Sequence, residues 1–124
     1  MNSIETKIAH IELIDNSFFY IRYKKDIIVN KEQAQSLLDA FASMKSVECP
    51  RIYHYNPEIS FEFDGIRVLS ASKQARAIAV VYDTTISTDI LENIKNNFKV
   101  LDFTSPIKFF GSREEAVDWI KQFS

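Results

Sequence analysis

Glycine and proline are scarce. The 124-residue chain holds 2 and 3 of them, where average usage would give about nine and six. A dinucleotide-binding fingerprint takes three glycines within six residues, and a phosphate-binding P-loop takes two ahead of Lys-Ser/Thr. Gly65 and Gly111 stand too far apart for either. Cys49 is the single cysteine, so no internal disulfide can form. No apolar run nears the roughly 18 residues of a membrane-spanning helix. The start Met1-Asn2-Ser3-Ile4-Glu5 lacks the basic-then-apolar layout of a secretory signal. Nor does one sign of charge dominate: 15 Lys and Arg against 17 Asp and Glu leave a net charge of -2. That balance gives no footprint for DNA, RNA or an acidic membrane. The expectation is a cytoplasmic protein with no nucleic-acid partner and no membrane span.

What the chain does have is a soluble-globular balance, 46% hydrophobic and 26% charged. Its length suits a single domain over residues 1–124. Ile8 to Ile14, then Asp15-Asn16-Ser17, then Phe18 to Tyr23 reads as a β-hairpin, with Asp and Asn supplying the turn. Asn30 with Gln33 three residues on is a capping box. It opens a helix whose apolar stripe is Ala34, Leu37, Leu38, Phe41 and Met44, and which ends before Pro50. Arg51 to Tyr55 is a third strand. Ala77 to Tyr82 is continuously apolar, as in a strand buried on both faces, and is expected at the centre of the sheet. Ser87 or Thr88 caps a helix that buries Ile90, Leu91, Ile94 and Phe98. Ile107 to Phe110 is a last strand. Ser112 and Glu115 then box a closing helix with Ala116, Trp119, Ile120 and Phe123 on one face.

Residues 59–69 admit two readings. Asp64-Gly65 between Phe61-Glu62-Phe63 and Ile66-Arg67-Val68 is a strong hairpin signal. The rival is a helix capped by Ser60, with Ile59, Phe63, Ile66 and Leu69 on one side, at a cost of about 1 kcal/mol for Gly65. Parallel pairing of the strands before and after this segment would call for a crossover, usually helical.

The order of elements, with the stretches Ile11-Glu12-Leu13-Ile14-Asp15-Asn16, Ile21-Arg22-Tyr23-Lys24-Lys25 and the ending Pro106 to Phe123, resembles the SpoIIAA-like fold. The resemblance is to the STAS group (sulfate-transporter and anti-sigma-factor-antagonist), specifically its stand-alone bacterial domains, and it covers nearly the whole chain. The ending Phe110-Gly111-Ser112-Arg113-Glu114-Glu115-Ala116 through Trp119 carries it best. The resemblance implies an α/β fold: an N-terminal β-hairpin followed by βα crossovers, and a mixed, mostly parallel five-stranded sheet with helices mainly on one side. It also implies that residues 60–72 are helical. Anti-sigma antagonists carry an Asp-Ser-(Ser/Thr)-Gly phosphoswitch at the start of that helix. Here Asp64 is followed directly by Gly65, so no hydroxyl stands at the acceptor position.

The candidate sites are few. Ser60 is a weak phospho-acceptor candidate, and an ordinary N-cap is the better account of it. His10 and His54 fall on strands separated by a third, about 10 Å apart in backbone, with no carboxylate or cysteine at ligand spacing. They make no metal site, and no cofactor is implied. Cys49 lies beside Glu48, which does not favour a thiolate, and reads as a bland loop cysteine. Strand alternation puts Phe18, Tyr20 and Arg22 on one sheet face and Phe19, Ile21 and Tyr23 on the other, and it separates His54 from Tyr53 and Tyr55. An aromatic face not covered by helices would meet a second subunit or a ligand, unless the N-terminal arm shields it. No nucleophile, base or metal cluster suggests an enzyme. The sequence therefore points to a non-catalytic interaction or regulatory module, a homo-oligomer, specifically a dimer, or the binder of another protein. The alternative is a protein binding a small apolar or lipid-like ligand.

Overall fold

The computed structural model describes residues 2–55, 58–71, 75–82, 88–89, 91–92, 95–96 and 105–123. Among them, six strands form one sheet: β1 (Ser3–Glu5), β2 (Ala9–Ile14), β3 (Phe18–Tyr23), β5 (Arg51–His54), β7 (Ile78–Val81) and β8 (Ile107–Phe110), side by side in chain order. The first three run antiparallel, and β3, β5, β7 and β8 are parallel. Two three-residue strands, β4 (Ile27–Val29) and β6 (Ile59–Phe61), pair parallel in a separate ladder. The helices are α1 (Lys31–Met44), α2 (Phe63–Ala71) and α3 (Arg113–Ile120), the last followed by a 3-10 turn, Lys121–Phe123.

The α/β class and the mixed sheet agree with the sequence, but the count of five strands does not. Ser3–Glu5 adds a sixth strand by pairing with His10–Glu12. The hairpin closes as the Asp-Asn pair predicts. Asp15 and Asn16 both have positive φ, 53° and 54°, and the Ser17 N–H donates to the Ile14 carbonyl at 2.9 Å, a type I′ turn. Asn30 accepts from the Gln33 N–H at 2.9 Å and Ser112 from the Glu115 N–H at 3.3 Å, so both helix starts are capped where read. Residues 88–89, 91–92 and 95–96 are helical. The other residues of that expected helix, Ser87, Ile90, Ile94 and Phe98, lie outside the described residues.

Two expectations are corrected, and the choice between hairpin and helix is decided for the helix. The strand Ile78–Val81 is buried on both faces but is not central; it lies between β5 and β8, and β3 and β5 hold the middle. The Asp64-Gly65 hairpin does not form, because Phe63–Ala71 is helical, as a crossover between the parallel strands β5 and β7 requires. Ser60 does not cap that helix. It sits in β6, exposed and paired with Ile28, and the helix begins three residues later.

The sheet separates two apolar cores. On one face Phe19, Ile21, Tyr23, Tyr53 and Val80 pack against Leu37 and Phe41 of α1 and Val68 and Leu69 of α2. On the other, Phe18, Tyr20, Ile52, Ala79, Val81 and Phe110 pack against Ala116 and Ile120 of α3, with Trp119 and Phe123 closing over them. Two helices thus share one face and a third takes part of the other. Cys49 lies in the loop between α1 and β5, as expected, and is buried in the first core at 1% exposure.

Candidate functional site

Register fixes which side chains share the second face. One row across the sheet reads Glu5, His10, Arg22, His54, Val81, Phe110. The row beside it reads Ser3, Glu12, Tyr20, Ile52, Ala79, Lys108. α3 covers the apolar half of both rows, over β5, β7 and β8. The other half, over β1, β2 and β3, carries Glu5, His10, Glu12 and Arg22, which are half-buried or exposed.

This division corrects the idea of an open aromatic face. Phe18 and Tyr20 are 1% and 2% exposed, because α3 lies on them. Tyr53 and Tyr55 are buried on the opposite face, where they pack with Tyr23 and Phe61 at ring-centroid distances of 5.2 to 6.0 Å. Of the candidate interface residues, the structure brings together Phe18, Tyr20, Arg22 and His54 on this face and puts Tyr53 and Tyr55 on the other, as the alternation on β5 requires.

Tyr20 is the hub of what remains. Its hydroxyl lies 2.6 Å from Nδ1 of His54, the cross-strand neighbour of Arg22. Its ring carries a guanidinium from Arg113 at 4.5 Å and another from Arg22 at 5.8 Å, within cation–π range. Burial raises the Tyr20 pKa, and the two arginine charges oppose that rise. Nearby, His10 is held between carboxylates, Nδ1 at 2.5 Å from Glu5 and Nε2 at 3.7 Å from Glu12. Lys24 joins Glu5 at 3.0 Å. Hydrogen bonds from Lys24 and His10 hold the exposed Glu5 carboxyl below its usual pKa.

His10 and His54 are indeed one strand apart, with Arg22 between them. Among the described residues, no group of three or more His, Cys, Asp or Glu is arranged to hold a metal ion. Arg113 was not foreseen as part of this face. The available signal was its position, the first helical residue after a capped start, right behind the short Gly111-Ser112 link from β8. Arg51 was also missed. It is 1% exposed, stacks on Phe41 at 4.6 Å, and donates to the Tyr53 hydroxyl at 3.1 Å and the Val47 carbonyl at 2.8 Å.

A different kind of surface lies at the corner made by β4, β6 and the start of α2. Among the described residues, Ile28 and Phe63 are the large apolar side chains that stay exposed, each at 57%. Around them stand the exposed charges Lys25, Asp26, Lys31, Glu58, Glu62 and Asp64. Among the described residues, two clefts combine charged side chains with apolar surface, and Ile14, Phe18 and Val117 belong to the lining of the first. The one of about 320 Å³ between the β2–β3 turn and α3 includes Asp15, Arg113, Glu114, Asp118 and Lys121. The one on α1 is formed by Lys31, Glu32, Gln35, Ser36 and Asp39. Among the described residues, no helix is long and apolar enough to cross a membrane.

No family model matches the chain, and comparison with curated proteins and with solved structures returns no match.

Proposed function

We propose that this chain is a STAS-like, non-catalytic interaction module that self-associates through the corner of β4, β6 and the start of α2. The observation that carries the reading is the exposure of Ile28 and Phe63, 57% each, the exposed large apolar side chains among the described residues. Exposed apolar surface of this kind marks contact with another macromolecule. Among the described residues, β4 and β6 pair only with each other, so the two-stranded ladder has outer edges open to further pairing. The rim is mixed in sign, with Lys25 and Lys31 among Asp26, Glu58, Glu62 and Asp64. A second copy would meet no one-sign field, and a two-fold contact can set opposite charges against each other.

The absence of an activity in this reading rests on how the polar groups are used. His10 is engaged by two carboxylates and His54 by a tyrosine hydroxyl. Burial keeps the Tyr20 hydroxyl neutral, which makes it a poor nucleophile. The apolar-ligand alternative loses its main support, because the aromatic side chains that suggested it fill the two cores themselves.

Light scattering coupled to size exclusion, run from micromolar to millimolar protein, tests the reading. The expected result is a dimer at high concentration for the native chain and a monomer for the Ile28→Ser, Phe63→Ser double variant with an unchanged fold. A native chain that stays monomeric throughout, or a double variant that dimerises equally well, overturns it.

A further inference from the structure

Arg22 and Arg113 come from distant parts of the chain, one on β3 and one at the first turn of α3, yet both bring a guanidinium to the ring of Tyr20. Two cations beside one buried ring repel each other, and both are exposed. The ion pairs of this face join His10, Glu5, Glu12 and Lys24, so neither arginine takes part in one. Each guanidinium carries five N–H donors in a planar fork suited to two oxygens of an oxyanion. We propose that the half of the second sheet face left uncovered by α3 is a binding site for a small oxyanion, a phosphomonoester or a carboxylate, clamped between Arg22 and Arg113 beside the Tyr20–His54 pair.

The charges around the pair define the size of the ligand. Glu12 lies opposite Tyr20 on β2, and Glu114 follows Arg113 on α3. Asp15, Glu114 and Asp118 also line the cleft that Arg113 lines, a mixed field that suits one or two negative charges and rejects a polyanion. His10 and His54 flank Arg22 in the same row, held by Glu5 and by Tyr20. His54 adds a polar ring beside the site, and α3 supplies an apolar neighbour in Val117, which lines the same cleft as Arg113. This site lies on the sheet face, apart from the Ile28–Phe63 corner, and stands whether or not the chain dimerises.

The test is an NMR titration of the isotope-labelled full chain with inorganic phosphate and, separately, with acetate, at an ionic strength held constant with chloride. Expected are saturable shifts of the Arg22, Arg113, Tyr20 and His54 resonances at millimolar phosphate, acetate or both. Tighter phosphate binding marks a phosphomonoester site and tighter acetate binding a carboxylate site. The exposed Arg22→Gln variant should weaken the preferred anion at least tenfold with the rest of the spectrum unchanged, and Arg22→Lys should recover only part of the loss. Arg113→Gln should do the same from the other side. Shifts that grow linearly without saturation for both anions, or an Arg22→Gln affinity within twofold of the native chain, overturn the proposal.

Discussion

Gly65 of α2 rests against the backbone of Val29: a Cβ built on Gly65 would stand 2.3 Å from the Val29 carbonyl oxygen and 2.9 Å from its carbon. The glycine that looked like the turn of a hairpin is the place where a helix touches a strand. The same Val29 oxygen accepts from the Glu62 N–H at 3.0 Å, so it is fixed just ahead of the helix and cannot retreat. Gly65→Ala should therefore destabilise, although alanine gains about 1 kcal/mol of helix propensity. Overpacking against backbone costs roughly 1–3 kcal/mol, and because the contact is with backbone we expect a net loss of about 1–2 kcal/mol after the propensity gain. Urea denaturation of the two proteins checks this, and a stabilised variant would refute the close contact.

Arg51 shows how much a buried charge can organise. Its guanidinium joins the loop after α1, through Val47, to the tyrosine cluster of β5, through Tyr53. Arg51→Ala should remove the donors of both bonds and leave a void beside Phe41, for a loss of about 3–5 kcal/mol. Arg51→Met fills the space without the donors and should lose less, about 1–3 kcal/mol. Equal losses in the two variants would mean that the hydrogen bonds carry the effect and the filled volume does not.

The buried tyrosines set an alkaline limit. Burial raises the pKa of Tyr23 and of Tyr55, and neighbouring tyrosines push in the same direction. Above pH 10 the unfolded chain releases these protons while the folded chain keeps them, so stability is intact below pH 10 and falls as pH rises beyond it. Each such group contributes a slope of about 1.4 kcal/mol per pH unit. Alkaline unfolding should accordingly begin just above pH 10 and coincide with the appearance of tyrosinate absorbance. Tyr55→Phe should make the fall shallower, and an unchanged slope would count against the burial of that hydroxyl.

The two caps differ in what they hold. Asn30 starts α1 beneath the first core, and Ser112 starts α3, which covers the second. Replacement of either by alanine should cost about 1 kcal/mol. Ser112→Ala should in addition loosen Arg113 from Tyr20, seen as a change in the Tyr20 ring resonances that Asn30→Ala does not produce.

Where the sequence could be read, a short-range rule decided the outcome. Asn30 to Gln33, Ser112 to Glu115, the Asp15-Asn16 turn and the apolar run before Tyr82 each combine a periodicity with a boundary residue, and the structure has all of them. The unread parts depend on partners far along the chain. Ser3–Glu5, Ile27–Val29 and Ile59–Phe61 are three residues each, too short for an alternation to show, and exist because His10–Glu12 and each other pair with them. Gly65 carried a strong local hairpin signal, and close approach to Val29 outweighed it. Alternation correctly sorted Phe18, Tyr20 and Arg22 onto one face, but it could not tell that α3 would seal half of that face and bring Arg113 to it. An arginine in a strand reads as a surface residue, so nothing local marked the burial of Arg51.

Because the strands stand in the sheet in the order they occur in the chain, the ribosome lays the sheet down from one edge to the other. The first core gains its last buried strand when β7 emerges, just after α2. The second waits for α3, which comes after β8. At about 5–20 residues per second, Phe18, Tyr20 and Ile52 stay uncovered on the nascent chain for several seconds after their own strands have formed. A stalled or truncated product that stops before Arg113 would carry that sticky face permanently, which makes the last helix the point at which quality control has most to inspect.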